Sequence, residues 1–276
     1  MTLRLSLVSL VSLVSFVLLA CTSTPHASTD AAVSRQGGAG QAGMQASASD
    51  AGVSVAMTGD VVTYGDAYEG GQFHLGPVDW DETQWHNACA PSGKYSPAVR
   101  MAEGELLAGL WNGIADTAGY CDACIYVTTA KGKSALLRVV TYGDTAQNSI
   151  DVSPKAYDLL NSGEYPRTMS WRFAKCADTG KLSYEFQSGS SEWWTSFWLR
   201  NARVPLTKVE VKSVNHASFV ELTRGSDGTL TDAGGFGAGT FTIRATGVDG
   251  QQVSDTFEWP GAGIAGAVLT GAGNFH

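Results

Sequence analysis

The stretch CIYVTTAKGKSALLRVV, residues 124–140, contains two runs of β-branched and aliphatic residues around the polar segment 130–133. Two such runs joined by a short segment with Gly are typical of a β-hairpin. Further runs of strand composition lie on either side, at 61–65 and 169–175, and the first is followed by a predicted loop at 66–71. The central part of the chain is therefore predicted to be mostly β.

One helix is predicted after the hairpin. Ser153 is a candidate N-cap, Pro154 suits the first helical position, and Gly163 ends the pattern. The apolar face of this helix consists of Ala156, Tyr157, Leu159 and Leu160.

The last hundred residues show no helical pattern. Short strand-like runs recur between turns of Gly, Asn and Asp, at 184–187, 193–200, 207–214, 218–223, 239–245 and 252–258. This spacing predicts an antiparallel β-sandwich. The segment Ala177-Asp178-Thr179-Gly180 marks a boundary, so two ordered domains are expected, at 58–179 and 180–276.

The N-terminal segment has the pattern of a targeting signal. Residues 1–21 carry Arg4 and then an apolar run that is short for a membrane span, which indicates a secretory signal peptide. The sequence LLAC at 18–21 resembles a bacterial lipobox, in which Cys21 would be lipidated; an ordinary cleaved signal is the alternative. Residues 22–57, rich in Ala, Ser and Gly, are predicted to be a flexible linker. We therefore expect a secreted protein that meets a membrane only through a lipid anchor.

The composition excludes one class of partner. Charged residues make up 16% of the chain, the formal net charge is −8, and Lys and Arg do not cluster. Binding to nucleic acid requires clustered basic side chains that neutralise phosphates. No nucleic-acid partner is expected.

Four cysteines remain after Cys21, and they permit three pairings. The spacing of Cys121 and Cys124 could belong to a metal or redox motif, but the five histidines are too scattered to complete a zinc site. Structural disulfide bonds are the better interpretation in an oxidising compartment, and no metal is predicted. Among the carboxylates Asp151 is notable because it lies between two apolar residues just before the predicted helix. It is a candidate functional residue, and capping of that helix is the alternative role.

Several segments together resemble the bacterial expansins, from about Gly59 to the C-terminus. The most specific are Ile150-Asp151-Val152-Ser153-Pro154 and Gly189-Ser190-Ser191-Glu192-Trp193-Trp194. The resemblance implies a six-stranded double-psi β-barrel followed by an immunoglobulin-like β-sandwich that binds carbohydrate. It also implies disulfide bonds from Cys89 to Cys121 and from Cys124 to Cys176.

The resemblance further implies a function. Expansins loosen plant-type cell walls by disrupting contacts of cellulose and matrix glucans, without hydrolysis and without a cofactor, and a monomer of this kind is expected here. Asp151 matches the essential groove carboxylate of the family, and Tyr142 and Thr63 match neighbouring groove residues. A second acidic position common in bacterial members falls on Val140.

Two other functions stay open. Glycoside hydrolysis normally needs two carboxyl groups across the scissile bond, and only one is matched. Related barrels include endoglucanases and lytic transglycosylases, so a glycan-cleaving enzyme is one alternative, assisted by Asp144, Asp122 or Asp66. A purely adhesive surface lectin is the other.

Trp193 and Trp194 match the positions of an aromatic platform that stacks on sugar rings. Neighbouring side chains of a strand point to opposite faces, so both can face solvent only in an irregular segment before the strand or at a bulge. The alternative is that at least one of the two belongs to the core. The third platform aromatic is missing from 225–235, and Trp198 is expected to replace it because it shares a strand face with Trp194.

Overall fold

The computed structural model of the protein describes residues 55–76, 88–90, 105–177 and 180–276. The predicted signal peptide, Cys21 and all but the last residues of the predicted linker lie outside these ranges. The chain divides into two units, and every described residue belongs to the second, Asp50–His276. Within the described ranges, no helix has both the length and the apolar character needed to cross a membrane.

Six strands close into a barrel. In spatial order they are β2 (Val61–Leu75), β6 (Ile150–Val152), β3 (Leu107–Trp111), β5 (Ser134–Gly143), β4 (Cys124–Thr129) and β7 (Thr168–Ala174). Pairing between β2 and β7 closes the ring. The pairs β2–β6 and β3–β5 are parallel, whereas the other pairs are antiparallel.

The start of the barrel differs from the sequence prediction. Strand β1 (Val55–Thr58) pairs with β2 and occupies the last residues of the predicted linker. The predicted loop at 66–71 is wrong, because β2 continues through it to Leu75. The pairing of β2 with β7 shifts register between Tyr64 and Tyr68 and again before Gly71. Such irregularities bend a strand, which lets β2 follow the curve of the barrel.

The predicted helix is confirmed as α1 (Pro154–Leu160), with Pro154 in its first turn. Ser153 caps it, since its Oγ accepts a hydrogen bond from the Ala156 amide. The same hydroxyl accepts from the Leu107 amide and donates to the Glu105 carbonyl. One side chain therefore fixes the corner between β6 and α1 against the start of β3.

Two sheets form the sandwich. The first contains β11 (Val220–Glu221), β10 (Leu206–Lys212), β14 (Thr240–Gly247) and β15 (Gln252–Glu258). The second contains β12 (Thr223–Arg224), β13 (Leu230–Asp232), β9 (Thr195–Arg200), β8 (Ser183–Phe186) and β16 (Val268–Thr270). The rings of Phe186, Phe197, Phe236 and Phe241 lie in contact in the core between them. The predicted fold class, a six-stranded barrel followed by a sandwich, is confirmed.

Two disulfide bonds stabilise the barrel. Cys89 is bonded to Cys121, and Cys124 at the start of β4 is bonded to Cys176 just after β7. This is the pairing that the family resemblance implied. The Cys176 amide also donates to the Arg203 carbonyl, so the second disulfide lies where the chain passes from barrel to sandwich.

Candidate functional site

Asp151 lies at the centre of β6, between the buried side chains of Ile150 and Val152. Because side chains alternate along a strand, the burial of these two neighbours turns Asp151 towards the other face. In the parallel pair with β2, Asp151 lies opposite His74, and in the antiparallel pair with β3 it lies opposite Gly109. A glycine there leaves the space beside the carboxyl group open.

A cavity of about 230 Å³ contains Asp151. Its other lining residues come from β3 and from the end of β5 with the following turn: Gly109, Leu110, Thr141, Tyr142, Gly143, Asp144 and Thr145. The structure therefore brings together Asp151 and Tyr142, two of the three residues matched to the groove. We call this cavity the barrel groove.

The electrostatic environment of Asp151 favours its neutral form. Partial burial raises the pKa of its carboxyl group above the ordinary value, and the nearby His74 charge lowers it by less. The group therefore keeps its proton to a higher pH than a free Asp side chain. In its neutral form it can donate one hydrogen bond as well as accept others.

Tyr142 connects the barrel groove to the sandwich. Its hydroxyl donates a hydrogen bond to the Ser226 carbonyl, in the loop between β12 and β13. Burial, and then the charge of Asp227, raise the pKa of this phenol. The Tyr142 ring is therefore held at one side of the groove by the second domain.

The three carboxylates considered for chemistry beside Asp151 have different surroundings. Asp144 lines the barrel groove, and its Oδ1 accepts a hydrogen bond of 2.5 Å from Asn112 Nδ2. Asp122 is buried and ion-paired, so it is closed to a ligand. Asp66 is exposed on β2 and is not part of the groove lining. Of these three carboxylates, Asp144 is the one that could act together with Asp151.

Two positions that the family resemblance places at the groove are buried here, and the assignment of Thr63 needs correction. Thr63 is completely buried, and its hydroxyl lies 3.3 Å from that of Thr58, so a ligand in the groove cannot touch it. Val140 is also fully buried, in a small cluster with Cys89, Ala90 and Leu107. The side chain of residue 140 therefore points into the interior of this chain.

Trp193 and Trp194 lie in a tight turn before β9. The Ser191 amide donates to the Trp194 carbonyl at 2.7 Å, and the Trp194 amide donates back at 3.3 Å. Trp193 is 71% exposed and Trp194 is 37% exposed. Side chains alternate between the two faces only within a strand, and β9 begins at Thr195. Trp193 and Trp194 precede it, so both indoles can face solvent. We call these two residues the tryptophan pair.

The tryptophan pair rests on the loop after β13. The Gly237 amide donates to the Glu192 carbonyl at 3.0 Å. Gly235 has a φ of +69°, and a Cβ there would lie 2.2 Å from the Glu192 oxygen. Only glycine allows both this conformation and this approach. Gly235 therefore lets the loop after β13 pack directly against the turn that carries the tryptophan pair.

The expectation that Trp198 extends the aromatic row is wrong. Trp198 is 4% exposed, and its Nε1 donates to the Asp227 carbonyl. It lies on the same face of β9 as Arg200, whose guanidinium contacts the Cys89 carbonyl of the barrel. The barrel covers the strand face that an isolated sandwich would expose.

The segment from β12 through the loop after β13 reaches both candidate sites. Ser226 near its start contacts Tyr142, and Gly235 and Gly237 near its end support the tryptophan pair. A single stretch of the sandwich therefore links the barrel groove to the exposed indoles.

Comparisons with known proteins agree with this architecture. No family model matches the chain. It is 26% identical over 193 residues to Expansin-YoaJ of Bacillus subtilis, covering 70% of this chain and 74% of that protein. It is 25% identical over 187 residues to Expansin-like protein 6 of Dictyostelium discoideum, covering 63% of this chain and 62% of that one.

Two solved structures are similar to the fold. The apo expansin of Clavibacter michiganensis matches with a TM-score of 0.61 and 18% identity, over 76% of this chain and 98% of that one. A mutant of that expansin in complex with cellohexaose matches with a TM-score of 0.60, 18% identity and the same coverage. The resemblance to expansins that the sequence indicated is confirmed.

Proposed function

We propose that this chain is a secreted expansin-like protein that binds cellulose and matrix glucans and loosens plant-type walls without hydrolysis. The observation that carries the proposal is the exposed tryptophan pair, which lies in the same compact unit as a groove containing a half-buried carboxyl group. The mutant Clavibacter expansin bound to cellohexaose supports the choice of ligand, because its fold is similar.

The tryptophan pair supplies attachment. Flat sugar faces carry C–H groups that stack on indole rings, and stacking removes apolar surface from water. A platform of this kind has no charge and binds the regular surface of a glucan. Trp193 and Trp194 are therefore assigned to attachment, and the buried Trp198 supports the fold behind them.

The barrel groove supplies the action on the glucan. Asp151 can donate to and accept from sugar hydroxyls that would otherwise bond to a neighbouring glucan chain, and the Tyr142 hydroxyl can accept from them. A carboxyl group with a raised pKa suits this role, because its neutral form both donates and accepts. No covalent step and no cofactor are required.

Asp144 favours a second candidate function, cleavage of a glucan by the same groove. Hydrolysis uses one protonated and one ionised carboxyl group, and Asp144 and Asp151 line the same cavity. The hydrogen bond from Asn112 would hold the Asp144 carboxylate in place. Under this alternative Asp151 is the acid and Asp144 the base.

The N-terminal segment gives the proposed location. We propose that residues 1–21 act as a signal peptide that exports the mature protein, and that lipidation of Cys21 tethers it to a membrane through the linker at 22–57. We propose that it acts as a monomer.

Paired assays on the purified protein test the proposal. Extension of plant wall or cellulose strips under constant load measures loosening, and reducing-end release from the same samples measures cleavage. We expect faster extension without new reducing ends. Reducing ends that disappear in Asp144→Asn would replace the proposal by the glycan-cleaving alternative. If the parent protein binds but causes no extension of the strips, the adhesive-lectin alternative is favoured.

A further inference from the structure

A second cavity, of about 370 Å³, lies where the sandwich meets the barrel. Most of its lining comes from β10, β11 and β12, and Asp116 of the barrel contributes one side: Asp116, Thr207, Lys208, Val209, Glu221, Leu222, Thr223, Arg224 and Leu230. None of these residues belongs to the barrel groove or to the tryptophan pair. We call this cavity the seam cavity.

Arg224 dominates the polar lining of the seam cavity. Among the described residues, its guanidinium donates two hydrogen bonds, from Nη1 to the Gly119 carbonyl and from Nη2 to the Leu206 carbonyl, each 3.5 Å long. A guanidinium has five N–H donors, so most of them are left for a ligand. Among the described residues, no carboxylate lies within ion-pair distance of Arg224.

Arg224 is partly buried, and none of its nitrogens is a fully buried donor without a partner. Desolvation lowers the pKa of Arg224, although the charges of Asp116 and Glu221 oppose the effect. A partly buried guanidinium with long hydrogen bonds gains when a ligand brings acceptor oxygens to it.

Asp116 is held in place at the barrel side of the cavity. It has a φ of +56°, which is uncommon for a residue other than glycine. Its carbonyl accepts from the Gly119 amide, and a Cβ at residue 119 would lie 2.6 Å from the Asp116 carboxylate. The carboxylate is therefore packed over Gly119, next to the carbonyl that Arg224 contacts.

The charges of the lining decide the class of ligand. Asp116 and Glu221 are negative and Arg224 is positive, while the positive charge of Lys208 is paired with Glu210 at 3.1 Å, so neither sign of charge dominates the lining. An anion would meet two carboxylates and a cation would meet two basic groups. A neutral ligand with many hydroxyl groups can instead donate to the carboxylates and accept from Arg224.

The rest of the lining fits such a ligand. Val209, Leu222 and Leu230 are buried and apolar, while the hydroxyl groups of Thr207 and Thr223 lie on exposed residues. An apolar floor with a few polar groups around it is the usual form of a small-molecule site, and the volume falls within the usual range of about 300–1,000 Å³. No aromatic ring from the described part of the chain lines the cavity, so the proposed binding depends on hydrogen bonds and not on stacking.

We propose that the seam cavity is a second glycan site, which binds a short neutral saccharide through hydrogen bonds from Arg224 and to Glu221 and Asp116. It differs from the tryptophan pair in preferring a soluble oligosaccharide or a chain branch to a flat crystalline surface. Because the barrel and the sandwich both contribute, an occupied site also links the two domains.

The test uses the full chain carrying Trp193→Ala and Trp194→Ala, so that stacking on the platform cannot contribute. Cellotriose is titrated into isotope-labelled protein, and chemical-shift changes report where it binds. We expect changes around residues 207–209 and 221–224, with saturable binding. Changes confined to the barrel groove, or no binding, would overturn the proposal.

Two substitutions test the contacts. Glu221 lies opposite Glu210 in the sheet, so Glu221→Gln removes a like-charge pair and should not harm folding. Arg224→Lys keeps the charge but loses the planar fork. Each should weaken cellotriose binding about tenfold, the typical value of one charge-assisted hydrogen bond. Glu258→Gln, a carboxylate on β15 outside the cavity, is the matched control and should change nothing.

Inorganic phosphate and galacturonate serve as competing probes. The proposal expects neither to displace cellotriose. Tighter binding of phosphate or galacturonate, lost in Arg224→Lys, would make the cavity an anion site and contradict the assignment. The result is independent of wall loosening, because neither the groove nor the platform takes part.

Discussion

Arg200 of the sandwich donates from Nη1 to Oδ2 of Asp122 in the barrel across 2.6 Å, and both side chains are almost completely buried. Nε of the same guanidinium bonds Glu185 at 2.8 Å, and Nη1 also bonds the Cys89 carbonyl. Burial alone would lower the pKa of Arg200, but the two carboxylates outweigh it and raise the pKa. This buried ion pair fixes the sandwich against the disulfide-bonded part of the barrel.

Removing the charge of Asp122 should therefore destabilise the protein. Asp122 has a φ of +66°, which Asn tolerates, so Asp122→Asn changes the charge without straining the backbone. Arg200 keeps Glu185 as a partner, so the expected loss is that of one charge-assisted hydrogen bond, about 2 kcal/mol of unfolding free energy. Chemical denaturation measures this loss, with Glu258→Gln as a surface control. A loss below about 1 kcal/mol would mean that the pair contributes little to the seam.

Stability should depend on the ionisation of Asp151. Its pKa is raised in the folded protein, so ionisation is harder when folded than when unfolded. Above the ordinary pKa of an Asp side chain, rising pH therefore destabilises the parent protein relative to Asp151→Asn, until the raised pKa is passed. Below the ordinary pKa the carboxyl is protonated in both states, and this effect vanishes.

Melting temperatures of the two proteins across the acidic to neutral range check this sign. The melting temperature of Asp151→Asn minus that of the parent protein should increase with pH and then become constant. A difference that shrinks with rising pH would show that the ionised form of Asp151 is the one stabilised by folding.

The three tryptophans should separate attachment from folding. Trp193→Ala with Trp194→Ala should abolish partition onto cellulose and leave the melting temperature nearly unchanged, because both indoles are exposed. Trp198→Phe should lower the melting temperature and leave partition onto cellulose unchanged, because it removes the hydrogen bond to Asp227 from a buried side chain. Cellulose pull-down and thermal melting of the same samples measure both effects. Retained binding by the double variant would show that the tryptophan pair is not the platform.

Attachment should also resist salt. An interface of neutral indoles and hydroxyl groups gains little from long-range charge, and the chain has a formal net charge of −8. Raising the ionic strength should not elute the protein from cellulose. Elution by moderate salt would point to a charged interface instead of the tryptophan pair.

Local sequence signals predicted the parts of the fold that depend on neighbouring residues. Ser153 and Pro154 gave the start of α1, because capping acts within one turn. The hairpin of β4 and β5 followed from two β-rich runs around a short turn. Short strands such as β3 and β6 were missed, because their pairing is with distant segments and their length gives no pattern of its own.

The errors at the site have a similar cause. Trp198 was placed on an open face by strand alternation, but the barrel covers that face through contacts that no local pattern contains. Thr63 was assigned by resemblance, and its burial depends on β1 and β7 packing on either side of β2. Asp144 entered only as one of three carboxylates, and its place beside Asp151 depends on how β5 and β6 flank β3.

The central claim is that Asp151 acts on glucan contacts in the barrel groove without cleaving glycosidic bonds, while attachment resides elsewhere. Extension of cellulose strips under constant load, with the parent protein and Asp151→Asn at equal bound amounts, tests it most directly. The account predicts that both proteins bind equally, that only the parent accelerates extension, and that neither releases reducing ends. Equal extension by both proteins, or sugar release by the parent that is lost in Asp151→Asn, would contradict it.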